Sequence, residues 1–218
     1  MVKTTSPDRL WFTGNEDADR LLVQEPLALL IGFELDQQVP LQKAFSGPLE
    51  LKRRIGALDA AHIAAMDPAK LEAVFRERPA LHRFPGTMAR RTQDLCVVVA
   101  RDYDNDAGRV WRDATDGLNL KKRLLGLPGF GDMKATTIIG ILGKRLGIRP
   151  PGWEAVAPTH MSLGDVDSPE TLKTYQDGKR AHKAAMREAD ASGFAPAGVR
   201  DRAGAAAMAP GQRARRSP

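Results

Sequence analysis

Cysteine is nearly absent from this chain of 218 residues: Cys96 is the only one. A single thiol excludes an internal disulfide framework, a cysteine-built zinc site and a four-cysteine iron–sulfur cluster. Aromatic residues make up only 6%, and no apolar run approaches the length of a membrane-spanning helix. The opening stretch, MVKTTSPDRLWFTGNEDADR, lacks the apolar core of a secretory signal. His62, His82, His160 and His182 are too scattered for metal-ligand spacing, and no phosphate-loop or dinucleotide fingerprint occurs. Strand alternation, Asn-Gly or Asp-Gly hairpins and internal repeats are missing as well. The expectation is a cytoplasmic, all-α protein using neither metal nor organic cofactor, with no membrane association.

What the chain does have is basic charge, in two places. The formal net charge of +6 lies wholly within residues 179–218, because residues 1–178 balance. Inside the balanced part, residues 121–149 carry Lys121, Lys122, Arg123, Lys134, Lys144, Arg145 and Arg149 against the one anion Asp132. A basic focus and a basic tail together suggest a polyanion, with nucleic acid ahead of a membrane surface. The plainer alternative is a set of solvated faces. The Ala-, Gly-, Pro- and Arg-rich segment 189–218 has too few apolar side chains to offset its ordering entropy, so it is expected to be disordered.

Helix signals run through most of the rest. Asp59, Asp67 before Pro68, Thr87, and Ser168 before Pro169 read as N-caps. Apolar residues recur at three and four: Leu71, Val74 and Phe75, then Leu95, Val98, Val99 and Tyr103. The run Cys96–Val99 has strand propensity but lies inside a helical pattern from Thr87 to about Asp104, so it is assigned to a helix.

The most specific segment is Leu124-Leu125-Gly126-Leu127-Pro128-Gly129-Phe130-Gly131-Asp132-Met133-Lys134-Ala135. An apolar helix end meets Leu-Pro-Gly-x-Gly, and a second helical period follows at Ala135, Ile138, Ile139 and Leu142. Proline closes the first helix, while the glycines allow positive φ and leave the backbone bare. Such a turn points N–H groups outward at a helix N-terminus, which is a seat for phosphate. Amides of this kind position DNA without reading its sequence. The alternative is a helix connection that uses glycine only for close packing.

In this segment the chain resembles the helix-hairpin-helix, Gly/Pro-Asp superfamily of base-excision DNA glycosylases, which includes endonuclease III and the 3-methyladenine glycosylases. Leu29-Leu30-Ile31-Gly32-Phe33-Glu34-Leu35-Asp36-Gln37-Gln38-Val39 is similar to the family's early apolar helix and glutamine-containing turn. Phe84-Pro85-Gly86-Thr87-Met88-Ala89-Arg90-Arg91 is similar to the small-residue turn and helix start that precede the hairpin. The resemblance covers roughly residues 20 to 150. It implies a two-lobed all-α fold: residues 21–146 as a six-helix-barrel-like lobe ending in the hairpin, and residues 1–20 plus 147–188 as a second helical lobe. The implied partner is double-stranded DNA with a damaged base, bound by a monomer in the cytoplasm at the nucleoid.

By the same resemblance, Leu127, Gly129, Gly131, Lys134 and Arg90 are DNA-binding candidates. Gln38 aligns with the glutamine that fills the gap left by an extruded base, an extrusion that costs a few kcal/mol. Gln37 and Gln38 as simple helix-capping residues, and Arg90 and Arg91 as solvated side chains, remain alternatives.

The catalytic pattern departs from the family in two places. Met133 stands where bifunctional members carry the Schiff-base lysine, so no lyase step is implied by that route. Met133 is expected to line the base pocket or to be ordinary core, and Lys134, about 100° round the helix, to face elsewhere, toward phosphate. The family's aspartate before a Thr-His pair is replaced by Pro158 in Ala157-Pro158-Thr159-His160. The carboxylate is then either lost or moved to Asp165 or Asp167, with turn and capping duty as the alternative for both. His160 is a pocket candidate or a structural histidine. The implied function is base-excision repair by a monofunctional glycosylase that hydrolyses the N-glycosidic bond. The alternative is a catalytically silent relative that binds lesions or distorted duplex.

Overall fold

Capping side chains and prolines fix where most helices start. In the computed structural model, which describes residues 7–191, every regular element is helical and no strand occurs among the described residues. The α-helices are α1 (Glu16–Gln24), α2 (Pro26–Leu35), α3 (Leu41–Ile55), α4 (Ala60–Ala65), α5 (Pro68–Arg76), α6 (Pro85–Asp102), α7 (Arg109–Arg112), α8 (Gly117–Leu125), α9 (Asp132–Lys144) and α10 (Pro169–Ala191). Short 3-10 turns lie at Trp153–Val156 and Leu163–Asp165.

Asp59 and Asp67 cap α4 and α5 as expected, accepting from the N–H groups of His62 and Lys70. Ser168 Oγ accepts from the Thr171 N–H before α10. Thr87 is not a cap. Pro85 supplies a preset φ at the first helical position, so α6 starts three residues earlier than a Thr87 cap would place it, with Phe84 as N-cap. Residues 96–99 are helical.

The centre of the core is α2, buried from Leu27 through Leu35. A helix apolar on all sides has no solvent face to offer, so it must be enclosed. Helix α3 lies close enough that a Cβ on Gly32 would stand 2.6 Å from the Phe45 ring. Phe45 in turn meets Phe12 and Phe33 edge-on, each at 5.1 Å between centroids.

Helix α9 is the second buried axis. Ala135, Ile138, Ile139 and Leu142, the period expected for it, are all fully buried. Gly143 accommodates the Trp153 ring, Gly140 lies against Pro158, and Gly164 packs on the Gly140 backbone. Residues 150–166 therefore lie back along α9. Residues through Asp177 form one compact unit, and residues from Gly178 on are a second. The tail expected from residue 189 is helical as far as Ala191, and residues 192–218 lie outside the described residues.

Candidate nucleic-acid interface

Helices α8 and α9 are joined by the glycine-rich turn. Leu124, Leu127, Phe130 and Ala135 are buried and anchor it from below. The Leu127 N–H donates to Leu124 O at 3.1 Å and the Phe130 N–H to Leu127 O at 3.2 Å. Gly129 adopts φ +78°, the left-handed region that favours glycine. Gly131 is the N-cap of α9 with no side chain capping it, and a Cβ placed there meets nothing within 4 Å. The first intrahelical bond is from Ala135 N to Gly131 O, so the amides before it stand at an uncapped helix start. The turn is thus open at Gly131, whereas at Gly129 the Glu34 carboxylate occupies the space a side chain would need. Leu127 needs correction as a DNA contact: its side chain is core and its N–H is used inside the turn.

A buried carboxylate lies beneath this turn. Glu34, on the last turn of α2, has 0% exposure. Lys134 Nζ lies 3.1 Å from Glu34 Oε2 and also donates to Gly129 O at 2.8 Å. Gln37 Nε2 donates to Glu34 Oε1 at 3.2 Å and to Glu34 O at 3.0 Å. Arg91 approaches Glu34 to 3.8 Å and donates to Gln37 Oε1. Burial pushes the Glu34 carboxyl above its ordinary range, and the charges of Lys134 and Arg91 only partly counter this. His82, also buried, donates from Nε2 to Gln37 O at 2.8 Å and accepts the Phe84 N–H on Nδ1 at 3.0 Å.

Three segments singled out in the sequence are therefore gathered around one carboxylate: the glutamine turn, residues 84–91 and the glycine turn. Gln37 is tied down, whereas Gln38 is exposed, with φ +57°. Arg90 is exposed on α6. Lys134 does not face outward as expected; its ammonium turns inward, because a buried carboxylate needs a counter-charge. Met133 is neither core nor enclosed in a pocket, being 82% exposed. Glu34 itself was missed. Its one sequence signal is an acid inside an otherwise apolar helix, and its partners lie far along the chain.

The candidate catalytic aspartates belong to a different part of the fold. Asp165 completes a capping box, accepting from the Ser162 N–H at 2.9 Å, and pairs with Lys144 at 2.6 Å. Asp167 accepts from Thr171 Oγ1 at 3.0 Å and lies 3.8 Å from Arg145. Lys144 and Arg145 end α9, while Met133 begins it. At 1.5 Å rise per residue, Lys144 lies about 16 Å along the axis from Met133. Asp165 and Asp167 thus sit at the opposite end of α9 from the glycine turn; a capping box explains the position of Asp165, and Thr171 and Arg145 hold Asp167. Pro158 packs beside Gly140, midway along the helix, with His160 exposed nearby in sequence.

The basic focus also changes character. Lys121 pairs with Asp132, Arg123 with Asp113 and two carbonyls, Lys134 with Glu34, Lys144 with Asp165 and Arg145 with Asp167. Arg149 donates to Gly143 O. Of the seven cations, Lys122 alone has no partner among the described residues. Carboxylates from other segments compensate a stretch that looks one-signed in the sequence. Among the described residues, no group of three or more His, Cys, Asp or Glu side chains is placed to hold a metal ion, and no helix is long and apolar enough to cross a membrane.

Comparison with protein-family models, with curated proteins and with solved structures finds no match.

Proposed function

We propose that this chain acts in DNA base-excision repair on the helix-hairpin-helix glycosylase plan, binding damaged duplex through one edge. The observation that supports the reading is the convergence around Glu34, where Lys134 beside the glycine turn, Gln37 of the glutamine turn and Arg91 of α6 meet one carboxylate. Amides at the uncapped start of α9 would seat a phosphate. Gln38, on a strained left-handed turn, would enter the duplex where a base has been extruded. As an enzyme the chain would be a monofunctional glycosylase hydrolysing the N-glycosidic bond, since Met133 offers no amine for a Schiff base.

A second reading, a catalytically silent duplex binder, is favoured by one observation. Asp165 and Asp167 are engaged in capping and ion pairs at the far end of α9, and Pro158 replaces the expected acid. One experiment separates the readings. Fluorescein-labelled duplexes with a tetrahydrofuran abasic analogue are titrated with protein across a salt series. In parallel, alkylated, deaminated and oxidised duplexes are incubated with protein and then treated with alkali. Salt-dependent binding with alkali-labile sites is the result expected of a glycosylase. Binding without base release assigns the silent role, and absence of duplex binding discards both.

A further inference from the structure

A fully buried carboxylate at the contact of three segments needs a reason, because removing a charge from water is unfavourable unless the fold uses it. Glu34 touches both the glycine turn and the glutamine turn. One of its oxygens takes Lys134, whose ammonium also holds the Gly129 carbonyl. The other takes Gln37, whose amide is locked from the opposite side by Arg91, while the Gln37 carbonyl takes His82. The Gly129 backbone is packed so tightly on this carboxylate that a Cβ there would stand 2.2 Å from Oε2.

We propose that Glu34 is a positioning residue that clamps the glycine turn to the glutamine turn, so that both meet DNA as one rigid edge, and that Lys134 serves this clamp rather than a phosphate. The proposal rests on the duplex-binding reading for its DNA arm only. Without Glu34 this shared partner is lost, and the Lys134 ammonium becomes free to reach a phosphate.

The test uses the full chain with Glu34→Gln, Lys134→Gln and the double variant, which removes the pair together and keeps the comparison interpretable if one single variant folds poorly. In the free protein, amide exchange is followed by mass spectrometry over peptides spanning 36–39 and 128–134. Glu34→Gln is expected to speed exchange in both peptides together, since a merely local role moves only one. Lys134→Arg, which keeps a cation, is expected to restore slow exchange relative to Lys134→Gln. In salt titrations with the tetrahydrofuran duplex, Lys134→Gln is expected to leave the slope of log K against log salt unchanged. Glu34→Gln is expected to steepen it by about 0.9, one additional phosphate contact. Exchange confined to one peptide overturns the clamp, and a slope lowered by Lys134→Gln overturns the assignment of Lys134. If no variant and no wild-type protein binds duplex, the DNA reading fails while the exchange result still decides the clamp.

Discussion

The Gly129 backbone rests on the Glu34 carboxylate, whereas Gly131, two residues on, faces open space. The two glycines therefore answer to different demands. Gly129→Ala meets both a left-handed φ and the carboxylate, and is expected to lose about 2–3 kcal/mol of stability. Gly131→Ala is expected to change stability by no more than about 1 kcal/mol. It should nevertheless weaken duplex binding about tenfold, about 1.4 kcal/mol, because its Cβ stands where a phosphate would approach. Urea unfolding and fluorescence anisotropy measure the two effects; unchanged binding in Gly131→Ala would count against an amide seat.

His82 gives the fold a pH dependence with a definite sign. Its Nδ1 accepts and its Nε2 donates, so the ring is neutral in place. Burial lowers its pKa from the ordinary 6.5; the Gln37 carbonyl opposes this, and the charges of Lys43 and Arg83 add to it. The unfolded chain takes up the proton near 6.5 and the folded chain only at lower pH. Between those values the unfolded state binds more protons, so the His82 contribution is lost as pH falls through 6.5. Glu34 and Asp19, both raised by burial, slope the opposite way just above their ordinary values. The difference between wild type and His82→Gln isolates the histidine: urea midpoints at pH 7.5 and 5.5 should converge at the lower pH.

Asp165 is expected to matter for stability and not for base release. Asp165→Asn removes the charge and leaves one acceptor oxygen where the Ser162 N–H and Lys144 each use their own, a loss of about 1–2 kcal/mol. Burial raises the Asp165 pKa, but Lys144 and Ser162 outweigh it and hold the carboxyl below 3.8. Its contribution is therefore present above that value and fades as pH falls through the lower folded one. Thermal melts should show the loss, and any base release should survive in Asp165→Asn and Asp167→Asn.

Lys122 is expected to carry more of the salt dependence than its neighbours. Lys122→Gln should lower the slope of log K against log salt by about 0.9, while Lys144→Gln, already paired, should leave it unchanged. Equal effects from the two would restore the basic stretch as a single binding face.

The thiol of Cys96 reports on unfolding. Burial pushes it from 9.0 up to about 12, with Asp59 adding to the shift. Thiolate is the reactive form, so the native thiol should react with a disulfide reagent roughly a thousandfold slower than the denatured one. A fast native reaction would mean that α6 opens readily.

Much of the helical plan was legible because its causes are local. Asp67-Pro68 and Ser168-Pro169 specify their helix starts within four residues, and the 135–142 period identifies the buried side of α9. Thr87 misled because Pro85 outranks a threonine as a start signal. The candidate site was legible as segments and not as a constellation. The glycine and glutamine turns announce themselves by residue type, but the acid between them looks like an interruption of an apolar run. Lys134 was misread for a related reason: a helix angle gives a direction, not the partner waiting there. The basic stretch misled because carboxylates that neutralise it come from residues as distant as Glu34 and Asp167.

The bond from Lys134 to Glu34 joins residues one hundred apart in the chain. Closing so long a loop is entropically late work, and α2 must first be enclosed before its acid is shielded enough to hold a lysine firmly. The glycine turn is accordingly expected to find its final seat near the end of folding, after the helices around α2 have already condensed.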